Sequence, residues 1–347
     1  MITGPVFDTF SDAYLAVLDH VFHHATHCAA ARGKQAIETL NTSFTVRNPI
    51  ARIPYLAARR TNVVFHHAET LWYLAGRDDP DMIAYYAPGL RRFSPDGERL
   101  TGTAYGPRLF APSPPDGRSQ FQRVLRLLRA EPGCKRAAMP IMRADELADP
   151  ANPDVACTLG LQFLLRDRRL HAAAHLRGND AVVGLLGDNF AFTFIQELAA
   201  RLLGVEVGTY AHHVGSMHIN TGDLARVRRI LTDRHLPSFP HATMPASTTW
   251  DVITTVQDWE HRLRTNQTRY APGAAALPTY WQQVLALFEI HRQIVHQPGQ
   301  PLSHEALDAL RPGHRWLVEQ RWPTRMPRRT PGLQHYHPLS DMEVTCS

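Results

Sequence analysis

Apolar positions recur at three- and four-residue intervals along much of this chain and at two-residue intervals in a few stretches. Residues 11–31 place Tyr14, Leu15, Val17, Leu18, Val21 and Phe22 on one side of a helical projection, and Gly33 stands where that helix would stop. Asn62 to Gly76 repeats the pattern through Val63, Val64, Phe65, Leu71 and Leu74, with Gly76 as a C-cap. The same periodicity predicts helices over 119–130, 189–203, 224–232, 250–265 and 278–296. The one at 189–203 is apolar on every side, so it should be buried, and Gly204 ends it. Residues 35–55 alternate polar and apolar positions around Thr42, Thr45, Val46 and Ile53 and predict short strands. Residues 155–177 predict two strands about the turn Arg166-Asp167-Arg168. Residues 77–118, rich in Pro, Gly and Asp, read as long functional loops. The sum is an α/β (α+β) fold, a mixed sheet with surrounding helices.

The chain changes character after about residue 240. Five of the six tryptophans lie there (Trp250, Trp259, Trp281, Trp316 and Trp322), and residues 311–332 are rich in Arg and Pro. This predicts a catalytic domain over 1–240 and a helical extension over 241–347 packed on it. Its aromatic content argues against disorder.

Composition narrows the function. At 347 residues, 44% hydrophobic and 20% charged, the chain reads as an ordinary soluble protein with one large core or two modest ones. The net charge of +5 is scattered rather than gathered in a tail. It suits a small phosphorylated substrate, and no helix-turn-helix, zinc-finger or RNA-binding pattern points to nucleic acid. Cys28, Cys134, Cys157 and Cys346 are too few and too far apart for a disulfide framework or a zinc site, which fits a reducing cytoplasm and no metal. No leader pattern is present, and no apolar run approaches the roughly 18 residues that a membrane span needs.

Candidate chemistry concentrates between Cys157 and Asn220. A lone cysteine in an apolar strand is most often a small buried hydrophobe. As a nucleophile it would need positive charge nearby, which Arg177 supplies if the predicted hairpin brings the two together. Arg177 is either a solvated strand end or, followed by Gly178-Asn179-Asp180, a phosphate ligand. Lys135 and Arg136 form a second basic pair on a turn. Asp188 reads most simply as the N-cap of the following helix. His218 is one of 20 histidines and says little alone.

Together these residues resemble the thymidylate synthase superfamily. The resemblance rests on Cys157 with Gln162-Phe163, on Arg177-x-x-Asp180, on Gly184-Leu185, on Val205-Glu206-Val207-Gly208 and on Gly215-x-x-His218. Upstream, Glu69-x-x-Trp72-x-Leu74, Tyr105-Gly106, Cys134-Lys135-Arg136 and Arg32-Gly33 look like further family segments. The likeness covers roughly residues 10–235. It implies a homodimer whose sheets pack face to face. Cys157 would attack C6 of a pyrimidine nucleoside monophosphate. Arg177 and Arg32 would bind the phosphate, joined by Lys135 and Arg136 reaching across from the other subunit. Gln162 would line the nucleotide site and His218 would contact the sugar. Glu69 and Tyr105 would order water and protons. Asp180, Gly184 and Trp72 would face the co-substrate, 5,10-methylenetetrahydrofolate.

One departure redirects the reading. The family's synthases carry Asn where this chain has Asp188, and an Asn amide suits uracil because it donates to O4 and accepts from N3–H. An ionised Asp only accepts, which suits the 4-amino group of cytosine and a proton on N3. The wrong base would strand buried polar groups at about 1–3 kcal/mol each. The resemblance therefore points to the cytidylate hydroxymethylase branch, of the kind used in nucleoside antibiotic pathways such as that of mildiomycin. There, C5 of the cysteine adduct takes the folate's methylene carbon, tetrahydrofolate leaves, and water rather than hydride adds to the exocyclic methylene. Asn220, in place of a family Tyr, together with small Ala174, implies room for a ribose 2′-hydroxyl and hence CMP over dCMP. The alternatives are dCMP hydroxymethylation and methylation of dUMP.

Overall fold

Residues 34–46, 158–166, 169–180 and 206–220 alternate polar and apolar side chains, and they form the long strands of one mixed sheet. The computed structural model describes residues 4–31, 33–94, 96–233 and 237–328. The strands are β1 (Val6–Phe7), β2 (His27–Ala31), β3 (Lys34–Val46), β4 (Ala138–Pro140), β5 (Thr158–Arg166), β6 (Arg169–Asp180) and β7 (Glu206–Asn220). They lie in the order β1-β3-β7-β6-β5-β4, with β2 also paired to β3. β6 and β7 run parallel, while β3–β7 and β5–β6 are antiparallel. Asp167 and Arg168 both take positive φ, as a two-residue hairpin turn between β5 and β6 requires.

The helices are α1 (Phe10–His24), α2 (Val63–Leu74), α3 (Pro80–Tyr86), α4 (Gly106–Phe110), α5 (Gln120–Ala130), α6 (Gly184–Leu203), α7 (Leu224–Thr232), α8 (Trp250–Arg264), α9 (Thr279–His296), α10 (His304–Asp308) and α11 (Pro312–Arg321). Helices α1 and α6 pack against the sheet, and α2 packs against α6. Leu161, Phe163, Ala172, Ala174, Tyr210 and Val214 are buried on the strands of the resulting core. Gln162, Leu164, His171, Thr209 and His213 alternate with them and stay partly exposed. Among these polar positions the His175 and His213 rings stack at 4.9 Å.

Three expectations are corrected. The helix expected to reach residue 31 stops at His24, because His27–Ala31 pairs with β3 in the register His27↔Glu38, and tertiary pairing outweighs the propensity of an alanine run. The strands expected over 35–55 are a single strand ending at Val46; Pro49 follows, which cannot donate to a ladder. The buried helix begins at Gly184 rather than 189, so Asp188 lies inside α6 and is not its N-cap. The N-cap residue, Val183, has no side-chain cap, and Asp180 orders the turn before the helix by accepting the backbone N–H groups of Val182 and Val183 at 2.7 and 3.0 Å.

The helices after residue 240 share the apolar core rather than forming a core of their own. Trp281 is fully buried against Phe194 of α6, and α9 packs on α2. Glu197 of α6 ties the two parts together: one oxygen accepts from Arg52 at 2.6 Å and the other from the backbone N–H of Met244 at 2.7 Å.

Candidate active site

The C-terminal part of β6, the start of β5, and helices α2 and α6 bring the predicted residues into one place. Arg177 sits opposite Cys157, with its backbone N–H donating to the Cys157 carbonyl at 2.9 Å. Its guanidinium folds back, donating to the carbonyls of Ala156 at 2.9 Å and Val155 at 3.0 Å. This holds a nitrogen 3.8 Å from the half-buried Cys157 sulfur. A fixed cation beside the sulfur is what a nucleophilic thiolate requires.

Glu69 on α2 and Asp188 on α6 face each other across a close helix contact. Gly187 lies against Glu69: a Cβ there would meet Glu69 Oε2 at 3.5 Å, an ordinary contact. Both residues keep some exposed surface. Burial first, and then the Asp188 charge, raise the Glu69 carboxyl to about 8. Burial raises Asp188 to about 7, against a smaller opposing effect from a hydrogen bond with Asn179. Tyr105 completes the group. Burial, followed by the charges of Asp188 and Cys157, pushes its hydroxyl well above the ordinary tyrosine value, so these four residues share one electrostatic environment. The Tyr105 ring stacks on Tyr73 at 5.2 Å, and its hydroxyl accepts from Thr158 at 3.2 Å. Tyr73 in turn donates to Glu69 Oε1 at 3.4 Å.

A second set lies at the end of β6. Asp180 aligns with His218 in the sheet register, and Asn220 donates to Asp180 Oδ2 at 2.7 Å. Gly184 is required beside it, since a Cβ would come within 2.5 Å of Asn179 Oδ1. His218 is half-exposed.

Other predicted residues are placed differently. Trp72 is fully buried, and its indole donates to the Asp79 carbonyl at 3.1 Å. Ala174 is also fully buried, on the helix-covered side of β6. Neither presents surface to a ligand. Gln162 donates to the Lys135 carbonyl at 2.8 Å, which anchors the loop that carries Lys135 and Arg136 in solvent; Arg136 pairs there with Glu131. Arg32 lies outside the described residues.

The periodicity gave no hint of the chain that orients Asn179. Tyr210 lies 2.7 Å from His212 Nδ1, and Asn179 Nδ2 lies 3.2 Å from His212 Nε2. Burial lowers His212 to about 3, so the ring is neutral. With Nε2 accepting from Asn179, its Nδ1–H donates to Tyr210. The relay ends at Asp188, through Asn179. A histidine two residues after a tyrosine on a strand was the only available signal.

Among the described residues, no group of three or more His, Cys, Asp or Glu side chains could hold a metal, and no helix is long and apolar enough to cross a membrane.

Comparison with known proteins gives the family. The chain is 34% identical over 208 residues to a deoxyuridylate hydroxymethyltransferase of Bacillus phage SP01, covering 56% of this chain and 53% of the relative. It is 31% identical over 172 residues to a protein of the same name from Pseudomonas phage M6, covering 49% and 48%. It is 29% identical over 183 residues to a thymidylate synthase of Symbiobacterium thermophilum, covering 49% and 63%. The chain thus spans only about half to three-fifths of the length of these curated relatives. Residues 12–262 match the thymidylate synthase family model, a match that runs beyond residue 240 into α8. With most of its length matched, the chain belongs to the thymidylate synthase family.

Proposed function

We propose that the protein hydroxymethylates C5 of a cytidine monophosphate, CMP in preference to dCMP, through a Cys157 adduct. The observation that carries the base choice is Asp188, held at about 7 beside Glu69 and Asn179. A neutral carboxyl donates to N3 of cytosine and accepts from its 4-amino group. When Cys157 adds to C6, electron density moves toward N3, and the Asp188 proton passes to N3 to balance it. Without this proton transfer C5 would not become nucleophilic. Arg177 holds the sulfur in place and keeps part of its fork for the phosphate.

The folate supplies a one-carbon unit at the methylene level. Its pterin N–H groups fit Asp180, whose two oxygens accept three protein hydrogen bonds, leaving about one of roughly four acceptor positions. Glu69, with its raised pKa and its contact with Tyr73, is suited to hand a proton to or from the water that ends the sequence. A homodimer through the sheet face that carries Gln162, His171 and His213 would bring Lys135 and Arg136 to the partner's phosphate site. Asn220, smaller than the Tyr of the synthases, supports the ribose form.

The names of two relatives favour a second reading, hydroxymethylation of deoxyuridylate. A neutral Asp188 also matches uracil, donating to O4 and accepting from N3–H. Incubation with CMP, dCMP or dUMP plus methylenetetrahydrofolate, followed by mass analysis of the nucleotide, separates the readings. The expected product is CMP with CH2O added and no dihydrofolate. Product from dUMP alone, or dihydrofolate absorbance, would overturn the proposal. Cys157→Ala should bring tritium release from C5 to the uncatalysed level.

A further inference from the structure

Behind α2 and α6, where the helices after residue 240 close on them, lies a cavity lined by Arg52, His67, His241, Tyr280, Arg311 and His314. Its charge is unbalanced. Arg52 is neutralised by Glu197 at 2.6 Å, and Glu197 is already shared with Arg201 at 3.8 Å and the Met244 N–H. Arg311 is half-buried, and among the described residues no carboxylate pairs with it. Its side chain donates to His314 Nε2 at 2.6 Å. Because arginine can only donate, Nε2 accepts and Nδ1 carries the proton.

That Nδ1–H, on a side chain 2% exposed, has no hydrogen-bond partner; neither has Arg311 Nε, nor Nε2 of His67, which is 5% exposed. Arg311 is also the N-cap residue of α11, a helix start with no side-chain cap, so the positive end of the helix dipole adds to the same field. The histidines register this field. Burial and then Arg311 hold His67, His241 and His314 below the ordinary histidine range, so they stay neutral. The cavity has a volume of about 20 Å³. A water-sized group needs roughly 10–15 Å³, so the space suits a single small ion and not a phosphate ester.

We propose that this cavity is a binding site for one small monovalent inorganic anion of the halide class, held by Arg311 and His314 at the junction between the sheet-covering helices and the C-terminal helices. A water molecule would satisfy the donors but would leave the half-buried Arg311 charge uncompensated, which is the costlier arrangement. The bound anion stabilises the folded chain by mass action.

Two measurements on the full chain test this. In crystals grown or soaked in bromide, an anomalous difference peak is expected within hydrogen-bond distance of Arg311 and His314. The melting temperature should be higher in sodium chloride than in sodium gluconate at equal ionic strength, and Arg311→Gln should remove that difference. Anomalous peaks confined to the surface would overturn the proposal. So would equal melting temperatures in the two salts for the wild-type protein. The crystal experiment needs no variant, so a misfolded Arg311→Gln leaves the question decidable.

Discussion

The same two helices, α2 and α6, meet buried ionisable groups of different kinds on their two sides. One side presents Glu69 and Asp188, two carboxyls with no arginine or lysine paired to either among the described residues. The other presents His67 to a cavity lined by Arg52 and Arg311, and Glu197 pairs with Arg52 beside it. The helical repeat explains the division. At about 100° per residue, Glu69 and His67 point roughly opposite ways, and so do Asp188 and Glu197. The two sides also handle charge differently. The arginine-rich side is built around a carboxylate that meets its cation at 2.6 Å, an arrangement that fixes structure. The acid pair has no such partner and responds by holding protons near neutral pH, which is what a site that must move protons needs.

Breaking the acid side should affect turnover more than folding. Glu69→Gln keeps the shape but removes the exchangeable proton, and should lower kcat by about 10²–10⁴-fold. Steady-state kinetics checks this, with the melting temperature little changed. Breaking the other side should do the reverse. Glu197→Gln leaves Arg52 buried without its counter-charge and should cost about 3–5 kcal/mol. Urea unfolding reads this as a lower midpoint, with kcat of the folded fraction close to wild type.

A smaller effect separates the sides by pH. The folded Asp188 and Glu69 values, about 7 and about 8, lie above the ordinary carboxyl values of 3.8 and 4.5. For acids raised in this direction, folding is most favourable below the unfolded values and loses stability as pH rises through the folded ones. The free protein should therefore melt at a lower temperature at pH 8.5 than at pH 6, other groups being equal. Asp188→Asn combined with Glu69→Gln should flatten that slope. A slope unchanged in the double variant would place its origin elsewhere.

Much of the frame was legible in the sequence because it depends on local spacing. The helix over 224–232 and the hairpin about Asp167 follow from periodicity and turn chemistry, and the structure has both. So does the pairing of Arg177 with Cys157, because twenty residues around a tight turn return the chain to its start. What was not legible depends on partners distant in sequence. The strand at His27–Ala31 exists because β3 lies beside it. Trp72 and Asp188 were misread for the same reason. A tryptophan on a helix shows no preference for ligand over core until the core is built, and the N-cap reading of the aspartate fails because α6 begins four residues earlier, at Gly184. The Tyr210–His212–Asn179 relay crosses from one strand to another, and no linear pattern encodes it.

Base choice by Asp188 is the central claim, and a ratio tests it most directly. We would measure kcat/KM for CMP and for dUMP, each with the folate, in the wild-type protein and in Asp188→Asn. An amide at 188 can pair with either base but cannot pass a proton to N3 of the cytosine adduct, a loss of about 10²–10⁴-fold for CMP and hence in that ratio. The wild type should favour CMP, and the variant should shift toward dUMP by a factor in that range. An unchanged ratio, or a wild type that already favours dUMP, would contradict the assignment.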